Sequence, residues 1–221
     1  MTVRAATLAD LDEITSLGIA SLHDDPIWPY RFPKANEYRD DHIKYSRIRF
    51  SEYLENADNG VYAAMVVEAL SKENPAVKKI IAMSMWQLPG YHLPKTDAPV
   101  QVKKPSDHTE RRDADPARMT EFRNQIGQAK KNWFDKVYGD AQLNLMILAT
   151  HPDYRRLGAA AKLVKWGQDK AKRERVAVTL FASPMGYPLY SKVGFTVVGS
   201  IHVQVEGDDA FIDLPAMVWT P

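Results

Sequence analysis

One stretch of the sequence, residues 149–166, has the composition of an anion-binding site: it reads ATHPDYRRLGAAAKLVKW. An apolar run ends there, and Pro152 blocks further sheet pairing. Two arginines, Arg155 and Arg156, precede small residues that open an amphipathic pattern. The free N–H groups of a helix's first turn and the helix dipole attract negative charge. Small side chains at 158–160 would let a phosphate approach the backbone, and the arginines could add charge-assisted hydrogen bonds.

Two common phosphate-binding patterns are absent from the sequence. These are the G-x-G-x-x-G pattern of dinucleotide-binding folds and the G-x-x-x-x-G-K-[ST] loop of nucleoside triphosphatases. Their absence argues against a dinucleotide or a nucleoside triphosphate bound in the usual way. A purely structural alternative stays open, because Gly158 and the alanines after it could instead allow a helix to pack closely on a sheet.

The same stretch resembles the GNAT acetyltransferase superfamily. That family's strand-to-helix signature is written R/Q-x-x-G-x-G/A, and Arg155–Ala160 (RRLGAA) matches it, with His151–Tyr154 (HPDY) as the usual lead-in. Leu189–Phe195 (LYSKVGF) is similar to a second signature, L-Y-x-x-x-G-F. The two matches stand in the family's order. The resemblance is good over Leu143–Phe195 and looser over the first hairpin and the final strands.

The resemblance implies an N-acyltransferase that uses acetyl-CoA as acyl donor. The backbone of Leu148 and Thr150 would pair with the pantetheine arm. An amine, deprotonated by a base or a water chain, would attack the thioester directly, and Tyr190 would protonate the leaving thiolate. A phenol with a pKa near 10 is protonated at neutral pH, although Tyr190 could also be an ordinary core tyrosine. The N–H groups expected to hold the pyrophosphate are those of Arg155, Arg156, Leu157, Gly158, Ala159 and Ala160.

The general base is not identified by the sequence. Many relatives carry an acidic residue on the central strand, whereas LNLMILAT, residues 143–150, has none. Glu68, Asp24 and Asp25 are conceivable bases, as are water and histidines.

An acceptor pocket could be lined by aromatic side chains. Trp28, Tyr30 and Phe32 lie in a proline-rich segment, and Trp86 stands near the end of a strand. The same residues could equally form a packed lid. No metal is expected, because the histidines and acids of the segment that follows are irregularly spaced and predict a solvated loop. Those residues are His92, Asp97, Asp107, His108 and Asp113.

A mixed αβ sheet with a central strand–helix–strand unit would position these residues, and the predicted fold class is α/β (α+β mixed sheet), GNAT-like. The prolines of residues 23–33 predict no regular helix there. The periodicity predicts strands at Val3–Ala6, Val61–Leu70, Lys79–Gln87, Leu143–Thr150, Val176–Ala182, Thr196–Val205 and Phe211–Trp219, and helices from the Thr7 cap to Leu22 and at Asn36–Leu54, Pro116–Tyr138, Gly158–Arg173 and Tyr187–Val193.

Residues 88–116 stand apart from this pattern. They are rich in proline and in charges of both signs, and they nearly lack large apolar side chains. Such a segment cannot bury enough apolar surface to offset the entropy of ordering it. We therefore expect one domain, 1–221, with an exposed insertion at about 88–116 that acts as a mobile flap over the acceptor side.

Composition limits the classes of partner. The 221 residues carry 29 Lys plus Arg against 28 Asp plus Glu, a net charge of +1, and no cysteine. This balance gives no reason to expect nucleic acid or a membrane as partner, and no disulfide or thiolate site can form. A cytoplasmic location is expected from the absence of a signal peptide or an apolar span, and monomer or homodimer is left open. Two further functions also stay open: a CoA-binding regulatory module without turnover, and a protein lysine or N-terminal acetyltransferase.

Overall fold

A computed structural model of the chain describes residues 1–57, 59–72, 74–90 and 111–221. Most of the insertion, residues 91–110, lies outside the described residues, as do His92, Asp97, Asp107 and His108. No helix of the described part is both long and apolar enough to cross a membrane. The elements are β1 (Thr2–Ala5), α1 (Leu11–Leu22), α2 (Ile27–Arg31), α3 (Arg39–Glu55), β2 (Tyr62–Leu70), β3 (Lys78–Gln87), α4 (Pro116–Ala129), α5 (Lys136–Tyr138), β4 (Gln142–Thr150), α6 (Ala159–Glu174), β5 (Ala177–Phe181), α7 (Tyr187–Lys192), β6 (Thr196–Gln204) and β7 (Phe211–Trp219).

The described strands form one seven-stranded sheet in the order β1-β2-β3-β4-β5-β7-β6. Only β4 and β5 pair in parallel, joined by α6, and every other neighbouring pair is antiparallel. The mixed αβ fold class and its central strand–helix–strand unit are confirmed.

Helices cover both faces of the sheet. On one face, α1 and α3 bury Ile14, Leu17 and Phe50 against β2, β3 and β4. On the other face, α6 buries Leu163 and Val164 in a second core. This two-sided burial explains why β4 is almost continuously apolar, as expected of a central strand.

The parallel pair β4–β5 is short. Its register runs only from Gln142–Leu145 to Ala177–Leu180, so β4 continues to Thr150 without its β5 neighbour. On the other side of β4 the register with β3 shifts between Met85 and Trp86, which leaves Met146 as a bulged residue that is 40% exposed. A bulge bends a strand and increases its twist. The two central strands therefore diverge beyond Leu145.

One local expectation is wrong, and a second is confirmed with added detail. The segment 23–33 was expected to hold no regular helix, but Ile27–Arg31 forms the five-residue helix α2. Pro26 caps this helix and Pro29 lies in its first turn, where a missing N–H removes no hydrogen bond. The expected helix 116–138 is helical, with a π-helical stretch at Lys130–Asp135 between α4 and α5.

Candidate active site

The outer half of β4 has one backbone edge that pairs with no strand of the described residues, although the Thr150 carbonyl on this edge accepts from Arg155 Nε at 3.4 Å. The N–H of His151 donates to the carbonyl oxygen of Ile81 at 2.9 Å, which fixes which residues of β4 face β3. Hydrogen-bonded and non-hydrogen-bonded pairs alternate in an antiparallel ladder, so the N–H and C=O groups of Leu148 and Thr150 point away from β3. Because β5 has already diverged, these groups face the opening between the two strands.

The turn after β4 leads this edge to the start of α6. Arg156 and Gly158 both have positive φ angles, 65° and 85°, which bend the chain sharply into the helix. The N–H of Lys162 donates to the Gly158 carbonyl at 3.1 Å, so the three N–H groups before it have no intrahelical acceptor. A Cβ atom placed on Gly158 would meet no heavy atom within 4 Å. The first turn of α6 is therefore an open cradle of N–H donors of the kind that suits a phosphate.

The side chain of Arg155 does not point into this cradle. Its guanidinium donates to Asp24 Oδ2 at 2.8 Å and to the Ser21 carbonyl at 3.0 Å, which ties the turn to the end of α1. The Arg155 N–H donates to the Pro152 carbonyl at 3.2 Å, so neither the side chain nor the N–H of Arg155 is left for a phosphate. The Arg156 side chain is exposed beside the cradle, as is Leu157, whereas Ala159 is buried against the core.

A cleft of about 240 Å³ opens where β4 and β5 diverge. Its floor is the bulged part of β4, and its walls come from α2, α4 and the loop after β5. The lining side chains include Leu22, Asp25, Ile27, Trp28, Arg31, Arg49, Phe122, Ile126, Asn144, Met146, Leu148, Phe181, Ser183 and Tyr190.

Tyr190 lies at the β5 side of this cleft. It is 7% exposed, its ring packs against Phe195, and its hydroxyl makes no hydrogen bond to another described residue. Burial, with a smaller contribution from the nearby Asp25 carboxylate, raises the pKa of Tyr190 above that of a free phenol. The hydroxyl is therefore a proton donor held at the edge of the cleft.

Of the three acidic residues considered as a base, only Asp25 lines the cleft. Glu68 accepts a hydrogen bond from Arg4 at 2.8 Å at the other side of the sheet, and Asp24 pairs with Arg155. Asp25 Oδ1 accepts from the Ile27 N–H at 3.1 Å, which fixes the carboxylate at the start of α2.

Two arginines in the cleft were not singled out from the sequence. Arg31 ends α2 and is 7% exposed, and Arg49 projects from α3. In the sequence, Arg31 stands among the aromatic residues of the proline-rich segment. A single cation in such an apolar setting is a signal for a buried charge. Arg49 had no such signal, because its place in the cleft depends on how α3 crosses the sheet.

The aromatic candidates divide between the cleft and the core. Trp28 lines the cleft, as expected. Tyr30 lies instead in the core between α4 and the β6–β7 pair. Trp86 is fully buried on the α6 face, where its Nε1 donates to Ser84 Oγ at 2.8 Å and its ring fills the space beside Gly167. Tyr30 and Trp86 are therefore core residues, because strand alternation and helix rotation turn them away from the opening.

A buried hydrogen-bond chain holds Trp28 in place. Trp28 Nε1 donates to His42 Nε2 at 3.1 Å, and His42 Nδ1 lies 2.6 Å from Asp113 Oδ2. Indole nitrogen only donates, so His42 Nε2 is the acceptor and Nδ1 carries the proton that faces Asp113. Asp113 and His42 resemble a catalytic acid–histidine pair. However, Nε2 of His42 already accepts the hydrogen bond from Trp28, so it is not free to act as a base. Asp113, expected in a solvated loop, is fully buried and also binds Arg111. The described residues contain no cluster that could hold a metal ion.

The comparisons with known proteins agree with this geometry. A family model described as an acetyltransferase (GNAT) domain matches residues 136–209, which span α5 to the turn after β6 and include both sequence signatures. This match identifies residues 136–209 as a GNAT acetyltransferase domain. An acetyltransferase from Stachybotrys chartarum is 26% identical over 207 residues, covering 93% of this chain and 85% of the relative.

Solved structures of GNAT proteins share the fold over the whole chain. A mosquito arylalkylamine N-acetyltransferase-like protein (5b) is similar with a TM-score of 0.65 at 17% identity, covering 100% of this chain and 99% of that one. The PaiA N-acetyltransferase from Thermoplasma acidophilum, in complex with coenzyme A, has a TM-score of 0.54 at 12% identity, covering 100% and 98%. The family match and the similar acetyltransferase indicate an acyltransferase, and the solved structures show that its fold is shared by N-acetyltransferases.

Proposed function

We propose that this GNAT protein is an N-acetyltransferase that moves an acetyl group from acetyl-CoA to the primary amine of a small molecule. One observation carries the proposal: the edge of β4 that pairs with no described strand is followed in the chain by the N–H cradle of α6, and Tyr190 lines the same cleft as Leu148 of that edge. An acyl donor whose amide-containing arm leads to a pyrophosphate would match the β4 edge and the N–H cradle in that order.

The chain's own residues would hold the donor as follows. The N–H and C=O groups of Leu148 and Thr150 pair with the amides of the pantetheine arm. The N–H groups of residues 156–160 bind the pyrophosphate, and the absence of a side chain on Gly158 keeps the approach open. Acetyl-CoA supplies an acetyl group activated as a thioester. The complex of PaiA with coenzyme A supports this choice of donor.

Two side chains of the cleft would handle protons. Tyr190 donates its hydroxyl proton to the leaving sulfur, and its raised pKa means that this proton is still present at alkaline pH. Asp25, the acidic residue in the cleft, attracts an ammonium group and accepts a proton from it directly or through water. This assigns a role to a carboxylate that is not on β4, where many relatives carry theirs.

A small acceptor is favoured by the walls of the cleft. The helix α2 and its Trp28 close one side, and Phe122 and Ile126 of α4 close another. The mosquito relative, named for arylalkylamines, supports a small amine over a protein chain. A CoA-binding module without turnover is the second candidate, since β4 carries no acidic residue.

Replacement of a single hydroxyl tests the proposal. In Tyr190→Phe we expect the thermal shift given by CoA to be retained, because binding to the folded state raises the melting temperature. Release of free thiol from acetyl-CoA in the presence of a panel of primary amines should fall by about 10²–10⁴-fold, the usual contribution of a positioned acid.

The control is Tyr187→Phe, which removes an exposed hydroxyl from the same helix. We expect it to keep wild-type turnover. A wild-type protein that binds CoA but releases no thiol with any amine would support the binding module instead. A protein that shows no CoA-dependent thermal shift would refute the donor site.

A further inference from the structure

The guanidinium of Arg31 is a buried cation that faces the cleft without an acidic partner. Its Nε donates to the Ile27 carbonyl at 3.2 Å, and no carboxylate of the described residues forms an ion pair with it. The rings of Trp28, Phe32 and Phe122 surround it at 4.9, 5.1 and 4.5 Å from the guanidinium carbon. Cation–π contacts hold the charge in place, but they leave the outer N–H donors of the fork without hydrogen-bond acceptors.

A second arginine adds to this positive charge. Arg49 lines the same cleft, and its Nη2 donates to the Tyr53 hydroxyl at 3.1 Å rather than to an acid. Burial, and then the charges of Arg49 and Arg111, lower the pKa of Arg31 to about 9. Arg31 therefore stays charged at neutral pH in surroundings that disfavour its charge, and a bound anion would relieve that cost.

Among the described residues, the carboxylates near the two arginines form no ion pair with them: Asp25 acts on Arg31, and Glu52 on Arg49, only through their charge. Lys130 is paired with Asp135 at 2.5 Å. Asp25 is the one acidic residue among the described residues that line the cleft, and it influences Tyr190. The cleft thus has a carboxylate beside the proposed acid and an excess of positive charge around Arg31.

We propose that the acceptor is a primary amine that also carries a fixed negative charge, a carboxylate or a phosphate, which binds Arg31 with assistance from Arg49. The ammonium end of the same molecule faces Asp25 and Tyr190. The planar fork of an arginine matches both kinds of oxyanion. A second positive charge on the acceptor, as in a diamine, is disfavoured by the same two arginines. This inference rests on the proposed N-acetyltransferase function.

The test compares acceptors that differ in one charged group. Phenylalanine is assayed against phenethylamine for the carboxylate, O-phosphoethanolamine against ethylamine for the phosphate, and putrescine supplies a second cation. With wild-type protein we expect kcat/KM for one anionic acceptor to exceed kcat/KM for the matching amine without the anionic group by about 10- to 100-fold. This is the effect of one charge-assisted hydrogen-bonded pair. The pair that shows the larger ratio identifies the oxyanion.

Variants locate the effect at Arg31. Arg31→Gln should raise KM for the anionic acceptor much more than KM for the amine that lacks the anionic group, and so abolish most of the preference. Arg31→Lys keeps the charge and should retain part of the preference, and Arg49→Gln tests the second cation if Arg31→Gln does not fold. Arg118→Lys is the matched control, because Arg118 binds Asp208 outside the cleft.

The outcomes separate this inference from the proposed function. Acetyl transfer to neutral amines or to putrescine at rates equal to or above the anionic acceptors would overturn the anion site and leave the N-acetyltransferase intact. An anion preference that survives in both Arg31→Gln and Arg49→Gln would also overturn it. Absence of transfer to every amine would contradict the proposed function itself.

Discussion

Single residues of this GNAT protein owe their proposed roles to where burial and charge place them. Asp25 and Asp24 are neighbours of the same chemical type, yet one lines the cleft and the other pairs with Arg155 on the surface. Tyr190 and Tyr187 both lie on the short helix α7, but Tyr190 is buried and lines the cleft, whereas Tyr187 is exposed. Residue type and spacing identify such candidates, but only their position relative to β4 decides which can touch a substrate.

Removing the charge of Asp25 tests its role with the acceptor. In Asp25→Asn the amide oxygen can still accept from the Ile27 N–H, so α2 should keep its start. We expect a higher KM for the amine, slower transfer and an unchanged thermal shift with CoA. The control is Asp12→Asn, which removes an exposed carboxylate of α1 that pairs with Arg47 far from the cleft. Equal activities of the two variants would exclude Asp25 from acceptor binding and from proton transfer.

The raised pKa of Tyr190 predicts a pH dependence. A group whose pKa is raised keeps its proton to higher pH, so the acid should remain available beyond the range of an ordinary phenol, whose pKa is near 10. The kcat/KM profile of the wild type should show no loss of activity from Tyr190 ionisation at moderately alkaline pH. A descending limb below pH 10 that disappears in Tyr190→Phe would contradict the buried-phenol assignment.

A comparison of two glycines can separate the proposed phosphate-binding role of Gly158 from the backbone strain that any substitution there would cause. Gly158 and Gly207 both have positive φ, 85° and 80°, and a Cβ on either meets nothing within 4 Å. Glutamate at either position should therefore cost a similar amount of stability, about 1 kcal/mol. Only Gly158→Glu should abolish the thermal shift with CoA, since its carboxylate would occupy the phosphate cradle. Normal CoA binding by a folded Gly158→Glu protein would place the pyrophosphate elsewhere.

At the scale of elements, the order and type of the strands and helices follow from local pattern. The capping arrangement at Thr7 is present, with its N–H donating to Asp10 Oδ2 at 2.8 Å, and the first hairpin and the β4–α6–β5 unit lie within a few residues of their predicted bounds. The divergence of β4 from β5 could not be predicted, because it arises from a bulge at Met146 that depends on pairing with β3. The cleft is a consequence of that tertiary feature.

The packing of α6 on the sheet gives a stability prediction at this scale. A Cβ added to Gly167 would lie 2.3 Å from a ring carbon of the fully buried Trp86, so Gly167→Ala should destabilise the protein by about 1–3 kcal/mol through overpacking. Gly127 lies in α4 with nothing within 4 Å, and Gly127→Ala should stabilise by about 0.5–1 kcal/mol through helix propensity.

Chemical denaturation of both variants measures the difference. Opposite signs of the change in unfolding free energy are expected, because the same substitution meets a filled space at one site and an open one at the other. A neutral Gly167→Ala would mean that Trp86 moves without cost, and the close approach of α6 to β3 would then not depend on glycine.

At the scale of the whole molecule, the cleft depends on segments that are distant in sequence. The end of the insertion, residues 111–115, packs against α2 and α3: the Lys34 N–H donates to the Asp113 carbonyl at 3.2 Å, and the Asp115 N–H donates to the Arg31 carbonyl at 3.0 Å. Sequence reasoning assigned this stretch to an exposed loop, because nothing local marks Asp113 as the partner of His42. Residues 91–110 of the predicted flap, 88–116, lie outside the described residues, so the flap stays a prediction.

The buried Asp113 carboxylate should set the acid stability of this arrangement. Burial acts to raise its pKa, but hydrogen bonds from His42 and Arg111 outweigh burial, so the pKa of Asp113 lies below its ordinary value. A carboxyl with a lowered pKa contributes stability that is present above the ordinary pKa, about 4, and is lost as the pH falls below it. We therefore expect Asp113→Asn to lower the unfolding free energy at neutral pH by about 3–5 kcal/mol, as for a broken buried ion pair, and to flatten the acid limb of stability against pH.

Melting temperatures across the acid range, with Asp209→Asn as an exposed control, measure this effect. The same variant connects stability to the cleft, because Asp113 holds His42, and His42 holds Trp28 and the neighbourhood of Arg31. KM for the acceptor should rise in Asp113→Asn, while the proposed CoA site on β4 and α6, which shares none of these contacts, should keep its affinity. If the stability of wild type and variant falls with pH in the same way, another carboxyl group controls acid unfolding. If the variant loses CoA affinity and acceptor affinity to the same extent, the CoA site and the acceptor site are not supported by separate contacts.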